Sequence, residues 1–462
     1  MFYGREKELS DLNKRYNGNN FEFVVFSGRR RVGKTFLINK FCENKPTIFF
    51  SAIIDNLKGN LQALSKEIYR FTNPDETVFP VYSTIDEAFE KITSLAEKQR
   101  LIFVIDEYPY LAKADKSVSS KLQHIIDKFW QNSKLFFILC GSSISFMENK
   151  VLSSKSPLFG RRTGQYKIQP LSYREITAFH PKLKIEEQAL LYGITGGVPH
   201  YINQLRIKDN LYDALKDNFF SPSSYLYDEP NNLLKQEFRE PTKYNAIITA
   251  IADGASHLNE IATRVGSESG QCTKYIKQLI SLGIIKKELP IKEKSVKKTI
   301  YLISDNFFRF WFKFVPKNAS IIESGRFSDL FDIAVKRYLS EYMGLVFEDM
   351  CKEYLLKYEK DLPIPISAVG QWWGSDVKSK KEVQIDIVGK PIDGKEYIIG
   401  SCKYTNEPVG IDELNLLKEY SAAFNKGSKY HYYIFSKSGF TKGLTDYAKT
   451  NDIRLVSLKD LY

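Results

Sequence analysis

Phe23-Val24-Val25-Phe26-Ser27-Gly28-Arg29-Arg30-Arg31-Val32-Gly33-Lys34-Thr35-Phe36-Leu37-Ile38 decides how the first half of this chain folds. Its first four residues are an apolar run of strand type, and Phe36, Leu37 and Phe41 follow at helical spacing. Between the two lies Gly-x-x-x-x-Gly-Lys-Thr, residues 28–35, the spacing of a phosphate-binding loop between a strand and a helix. The pattern has a mechanical reason. Gly28 and Gly33 let the backbone turn tightly, so its N–H groups point inward, and the start of the helix adds partial positive charge where phosphates sit. Lys34 is placed to reach the β- and γ-phosphates of a nucleoside triphosphate, and the Thr35 hydroxyl to bind Mg²⁺. The expected ligand is ATP with Mg²⁺, cradled by Gly28, Arg29, Arg30, Arg31, Val32, Gly33, Lys34 and Thr35, with Phe36 beside them.

Two further strands support this reading. Leu101-Ile102-Phe103-Val104-Ile105 ends in Asp106-Glu107, whereas an apolar strand ordinarily ends in a turn residue. Asp106 is expected to hold Mg²⁺ through water, and Glu107 to orient or polarise the attacking water. Leu135 to Cys140 leads to Gly141-Ser142-Ser143, where Ser142 or Ser143 would sit beside the γ-phosphate; ordinary turn chemistry is the alternative. Gly160-Arg161-Arg162-Thr163-Gly164 places two arginines in an exposed turn. One of them can act as an arginine finger, in cis or on a neighbouring copy in a homo-oligomer, and the rival is a solvated basic loop.

Phe2-Tyr3-Gly4-Arg5-Glu6, the loop, Asp106-Glu107, Gly160-Arg161-Arg162 and Gly196-Gly197-Val198-Pro199 occur in that order. Over the first half the chain resembles the archaeal-type ATPases of the AAA and signal-transduction ATPase group. The resemblance implies that the segment with Gly4 and Arg5 borders the adenine, and that the segment with Pro199 belongs to a helical lid over the nucleotide. Taken alone, Gly196-Gly197 is a helix-breaking turn.

The expected fold class is α/β. It comprises a P-loop NTPase core with a parallel sheet over 1–172, a helical lid over 173–235, a winged helix over 236–304, an aromatic junction over 305–335 and a C-terminal α/β domain over 336–462. The winged helix is read from helices at Tyr244–Ala252, His257–Val265 and Ser269–Leu282 and strands at Ile284–Leu289 and Thr299–Ile303. Six lysines stand against two glutamates between Lys286 and Lys298, and Lys274 and Lys277 lie on the third helix. That charge suits duplex phosphates. Phe307-Phe308-Arg309-Phe310-Trp311-Phe312 is read as core rather than as a platform for stacking bases.

The last domain resembles the restriction-endonuclease-like fold. Such nucleases carry an Asp on one strand and acid-x-Lys on the next, so the resemblance assigns Asp386 and Lys403 to that frame. Ser401 stands where the second acid belongs and Gln384 where an extra acid is common, while Glu348 can supply one oxygen. Serine is a poor substitute for a carboxylate ligand to a hard cation. A vestigial site is therefore expected, serving for DNA binding or docking rather than cleavage.

Composition agrees with a globular protein of two to four domains: 462 residues, 43% hydrophobic and 26% charged. A net charge of +12 favours phosphate-rich partners and equally suits plain solubility. The five cysteines show neither CxxC pairing nor zinc spacing, and no apolar run has the length of a membrane span, so the expectation is a cytoplasmic protein with no membrane partner. The leading functional reading is an ATP-binding and ATP-hydrolysing switch with DNA as partner. Its rivals are an ATP-regulated Mg²⁺-dependent nuclease and an ATP-driven signalling scaffold.

Overall fold

The computed structural model describes residues 2–208, 210–292, 298–375, 382–425 and 427–462. It divides into two compact units, residues 1–171 with 198–200, and residues 172–197 with 201–462.

The first unit is built on five parallel strands: β1 (Glu22–Ser27), β2 (Thr47–Ser51), β3 (Leu101–Asp106), β4 (Leu135–Gly141) and β5 (Gly164–Lys167). Their spatial order is β2-β3-β4-β1-β5. Successive strand side chains leave opposite faces, and both faces of this sheet are covered. Phe23, Val25, Phe103, Ile105, Phe137 and Leu139 enter one core. Val24, Phe26, Ile102, Val104, Phe136 and Ile138 enter the other. That is why these strands read as unbroken apolar runs rather than as alternating ones. Phe137 stacks between Phe23 and Phe103, with ring centroids 4.9 and 5.5 Å away. Trp130 closes the same core edge-on, and its indole N–H donates to Thr93 Oγ1 at 2.8 Å.

The second unit opens with helices. Ile185–Thr195 ends at Gly196 and Gly197, both at positive φ, which breaks the helix there. Three helices follow at Pro241–Ala252, Leu258–Val265 and Ser269–Ser281, then the antiparallel hairpin β6 (Ile285–Glu288) and β7 (Ile300–Ile303). The first of these helices starts three residues before its apolar spacing shows, because Pro241 occupies its opening position, where the missing N–H costs nothing.

Asp305 caps the aromatic helix Asn306–Phe314, accepting from Phe308 N at 3.1 Å. Phe307, Phe308, Phe310, Trp311, Phe312 and Phe314 are all buried, in keeping with the core assignment. Phe307 stacks on Tyr201 at 4.0 Å, Phe310 meets Phe219 and Tyr342, and the Trp311 indole donates to the Tyr227 carbonyl at 2.7 Å.

After the long helix Leu339–Lys357 comes a mixed sheet: β8 (Ile366–Ser375), β9 (Glu382–Pro391), β10 (Glu396–Lys403), β11 (Lys429–Ser436) and β12 (Ile453–Ser457), in the order β12-β11-β10-β9-β8. β9 runs antiparallel to both β8 and β10, and β10, β11 and β12 are mutually parallel.

Phe310→Ala removes a ring buried among four other aromatics. It should lower the stability of the second unit by about 3–5 kcal/mol, read as a fall in the urea midpoint of its transition. An unchanged midpoint would show that this ring does not hold the helix in place.

Candidate functional site

The cradle lies where β1 runs into the helix Lys34–Cys42. Gly28 has φ +152° and Gly33 φ +91°. A Cβ on Gly28 would lie 2.5 Å from the Ile168 carbonyl oxygen, so only glycine fits. Arg31 also sits at positive φ, which L side chains adopt rarely. The Lys34 ammonium is buried and donates to the carbonyls of Gly28 and Arg29, both at 2.8 Å. It thus points back across the loop, toward the space the loop encloses. Burial pulls its pKa below the usual lysine range. The Thr35 hydroxyl donates to Asp106 Oδ2 at 2.9 Å. The two oxygens expected to share Mg²⁺ therefore stand side by side, one from a helix start and one from the end of β3, and this pair fits the ion.

Arg5 braces the loop from below. Its guanidinium donates to the carbonyls of Val32, at 3.4 Å, and Gln169, and pairs with Glu8. Gly4 and Arg5 are successive positive-φ residues, a turn that sends Phe2 back to stack on Phe36 at 5.6 Å. Phe36 remains 54% exposed, which leaves aromatic surface open beside the loop. Pro199 Cγ lies 3.8 Å from the position a Cβ on Gly33 would take, so this residue does reach the loop.

Glu107 follows Asp106 at φ +50°, a strained setting for a glutamate. Its Oε2 accepts from the Ser142 hydroxyl at 2.7 Å and from the Ser142 N–H at 3.3 Å. Ser142, expected beside the γ-phosphate, is bound to the carboxylate expected to activate water. Sequence reading missed Tyr110, whose hydroxyl accepts from Arg30 at 2.8 Å. Nothing in the helix Tyr108–Ala114 marks that contact in advance.

Residues 2–205 match the model of an ATPase domain predominantly from Archaea, and residues 311–418 that of archaeal and bacterial proteins of unknown function. An uncharacterized protein of Methanocaldococcus jannaschii is 39% identical over 378 residues, spanning 81% of this chain and 82% of its own length. The chain belongs to this family of archaeal P-loop ATPases. A Walker-type ATPase of Pyrococcus abyssi shares the fold at TM-score 0.53 and 18% identity, over 68% of this chain and 96% of that one. The ORC2 protein of Aeropyrum pernix aligns at TM-score 0.46 and 14% identity, over 70% and 95%.

In this ATPase the two candidate finger arginines are already engaged. Arg161 makes a two-point pair with Asp127, both contacts at 2.7 Å, and also donates to the carbonyls of Pro157 and Phe159. Arg162 donates to the Leu152 carbonyl at 3.3 Å and lies over the Phe159 ring. A finger role requires either one to leave these partners, and Arg161 has more to break.

The basic hairpin is also partly committed. Lys286 pairs with Glu288 and Asp349, both at 3.2 Å. The Lys292 ammonium sits 3.9 Å from the Tyr397 ring centroid and 4.9 Å from that of Phe424, while Ile291 N donates to the Gln371 carbonyl at 2.8 Å. Of these two lysines, expected on phosphates, Lys286 reaches the helix Leu339–Lys357 through Asp349 and Lys292 reaches Tyr397 of β10. Lys274, Lys277, Lys287 and Lys298 are exposed. Lys294 and Lys297 lie outside the described residues.

In the C-terminal sheet Asp386 and Ser401 face each other across β9 and β10. Asp386 Oδ2 accepts from Cys402 N at 3.0 Å and lies 3.4 Å from the Ser401 hydroxyl. That hydroxyl donates to Glu413 Oε1 at 2.7 Å, and the same oxygen lies 3.2 Å from Lys403 Nζ. Glu413, in the first turn of the helix Ile411–Phe424, was not picked out from the sequence. Its signal was available: an acid in the turn of helix that follows the Ser-x-Lys strand. Glu348 accepts from the Gln371 amide, and burial together with the Asp386 charge pushes its carboxyl up to about 8. Burial opposes the charge on Asp349 as well, yet Lys286, Arg309 and Lys352 hold that group down to about 2. Gln384, the remaining position of the frame, is exposed on β9.

Gly28→Ala drives a methyl group into the Ile168 carbonyl and should abolish binding of a fluorescent ATP analogue. The thermal midpoint should fall by no more than a few degrees, since a loop rather than a core is strained. Retained nucleotide binding would show that the loop can open without loss.

Proposed function

We propose that this protein is an ATP-driven switch that acts with DNA. The observation that carries the ATPase half is the convergence of Lys34, Thr35, Asp106 and Glu107 at the carboxyl ends of β1 and β3. In open α/β sheets this edge is where ligands sit. Lys34 exchanges the two loop carbonyls for phosphate oxygens, and in its buried setting that interaction is stronger than it would be in water. Thr35 directly and Asp106 through water would hold Mg²⁺, which when bound would supply neutralising charge to the phosphates. Glu107 exchanges the Ser142 hydroxyl for the attacking water and takes up its proton as the water oxygen bonds to the γ-phosphorus and the bond from that phosphorus to the departing ADP oxygen breaks. Ser142, released, has a hydroxyl free to donate to the γ-phosphate. Arg162, with the weaker set of present contacts, is the better finger.

The segment with Pro199 serves as a lid that closes on the bound nucleotide. The three helices and the hairpin are read as a winged helix. Four exposed lysines support DNA contact, with Lys274 and Lys277 three residues apart on one helix face. Because Lys286 and Lys292 have partners elsewhere, this footprint is smaller than the lysine count alone implies. A signalling scaffold remains the rival, and it requires no salt-dependent DNA binding.

ATP turnover measured with and without duplex DNA tests the whole reading. Stimulation that fades with salt is expected, and turnover indifferent to DNA at low salt favours the scaffold. Lys34→Ala should abolish tight ATP binding. Glu107→Gln should retain binding and lower kcat by roughly a hundredfold; a wild-type rate would remove Glu107 from the chemistry. Changing Lys274, Lys277 and Lys298 to Ala together should weaken duplex binding irrespective of sequence. It should also flatten the log–log salt slope by about 3, and an unaltered slope would place the DNA elsewhere.

A further inference from the structure

Among the described strands β8 ends the order of the C-terminal sheet, so one of its edges has no strand beside it. Its pairing with β9 shifts register between Gly370 and Trp372, which sets Gln371 apart from the ladder. The Gln371 carbonyl accepts from Ile291 N at 2.8 Å, and Ile291 lies in the hairpin just after β6. The Ile291 side chain lies against Gly370, where an added Cβ would come within 3.6 Å of its Cδ1. One residue on, Lys292 lays its ammonium over the Tyr397 and Phe424 rings. The hairpin thus meets the sheet through a backbone bond, an aliphatic contact and a cation on two aromatic faces.

Each of these contacts is weak enough to be given up. Lys292 is exposed and holds φ +71°, a conformation whose strain is comparable with the attraction of an exposed cation–π contact. Undocking relieves that strain. Lys286 pairs with Asp349, but also with Glu288 on its own strand. If Lys286 leaves, Asp349 keeps Arg309 at 3.4 Å and Lys352 at 3.9 Å. Breaking the pair therefore strands neither charge, and a stranded charge is what ordinarily makes such a break costly. One backbone bond at a sheet edge, with water at hand to replace it, adds little to the hold. Yet Lys286 and Lys292 are two of the lysines that suit duplex phosphates. Docking turns both toward the anions and rings of the protein itself.

We propose that the hairpin is a self-masking latch: docked on the edge of β8 it withholds Lys286 and Lys292, and duplex phosphates release it by competing for the same two cations. The latch rests on the DNA reading for the identity of its competitor, and on the contacts above for its geometry. Phosphate is a charged partner for a lysine and binds it more strongly than a ring face does. The apparent affinity of wild type for duplex is then lowered by the fraction of molecules whose hairpin is open. Once bound, wild type and a chain with a permanently open hairpin neutralise the same phosphates. Their log–log salt lines are therefore parallel and differ by an offset.

Ile291→Ser and Phe424→Leu test the latch from opposite sides, and neither alters a charge. The first weakens the aliphatic contact; the second removes a ring from beneath Lys292 and keeps an apolar side chain. Amide hydrogen exchange on the full chain reads docking. The Ile291 N–H should exchange slowly in wild type and roughly tenfold faster or more in both variants. Titration with duplex DNA across a salt series reads masking. Both variants should bind about five- to tenfold more tightly, with the salt slope unchanged. In the Ile291→Ser chain, Lys292→Ala should cancel part of the gain and flatten the slope by about 1, because that ammonium then meets phosphate. Circular dichroism and urea midpoints show whether the variants are folded. Ile291→Val, a smaller trim, should move both readouts in the same direction if Ile291→Ser does not fold. A fast-exchanging Ile291 amide in wild type overturns the latch. Freed amides with duplex affinity unchanged or lowered overturn the masking and leave the DNA reading standing. A gain with a steeper slope shows that wild type binds without opening, and overturns release by phosphates. Absence of duplex binding by every one of these chains at low salt sinks the DNA reading, and the masking with it.

Discussion

A parallel sheet covered on both faces has nowhere to place polar chemistry except at its ends. β1, β3 and β4 are apolar at almost every position because alternate residues serve two separate cores. Their carboxyl ends are where the chain becomes polar: Ser27 and Gly28 after β1, Asp106 and Glu107 after β3, Ser142 after β4. The spatial order β3-β4-β1 sets these three ends side by side. The Thr35–Asp106 and Ser142–Glu107 hydrogen bonds follow from that adjacency and need no further device. The C-terminal sheet repeats the rule on a smaller scale. Its three parallel strands gather Ser401, Lys403 and Ser436 at one edge.

The arrangement of the nucleotide loop was readable residue by residue because each position answers a local demand. Glycines allow the turn, a lysine and a threonine open the helix, and an acid ends a strand. The helices and hairpin between 241 and 303 were legible for the same reason, since apolar spacing and turn residues are local signals. What escaped was contact between distant parts of the chain. Asp127 holding Arg161 spans 34 residues, and Arg30 on Tyr110 spans 80. No period or motif announces either. Glu413 is the sharpest example. Ser401 was read along its own strand, and a linear frame does not say which side chains of other elements reach it. A carboxylate can reach the same point in space from the next helix, 12 residues further on.

The hairpin illustrates a different failure. Counting lysines treats each one as a solvated charge, but a long aliphatic stem with a cationic tip also suits an aromatic face. Lys292 lies over Tyr397 and Phe424, and Ile291 packs beside them on the C-terminal core. Composition marks a basic segment; it does not say whether that segment faces outward or is folded onto its own protein. With Lys286 also drawn to Asp349, the hairpin is part of the scaffold that carries the C-terminal sheet.

β1 has a place in the sheet with a consequence for synthesis. It is the first strand of this sheet to be made, yet it sits between β4 and β5, the last two of the sheet. Arg5 similarly waits for Gln169, 164 residues later, before its guanidinium can brace the loop. At roughly 5–20 residues per second, an emerging chain carries an unpaired, strongly apolar β1 for about 7–30 s before its second neighbour exists. During that interval Phe23, Val24, Val25 and Phe26 form an open strand edge, the kind of segment that pairs with other chains. The nucleotide loop, which hangs from that strand, is then among the last parts of the unit to acquire its shape, although it is among the first to be made.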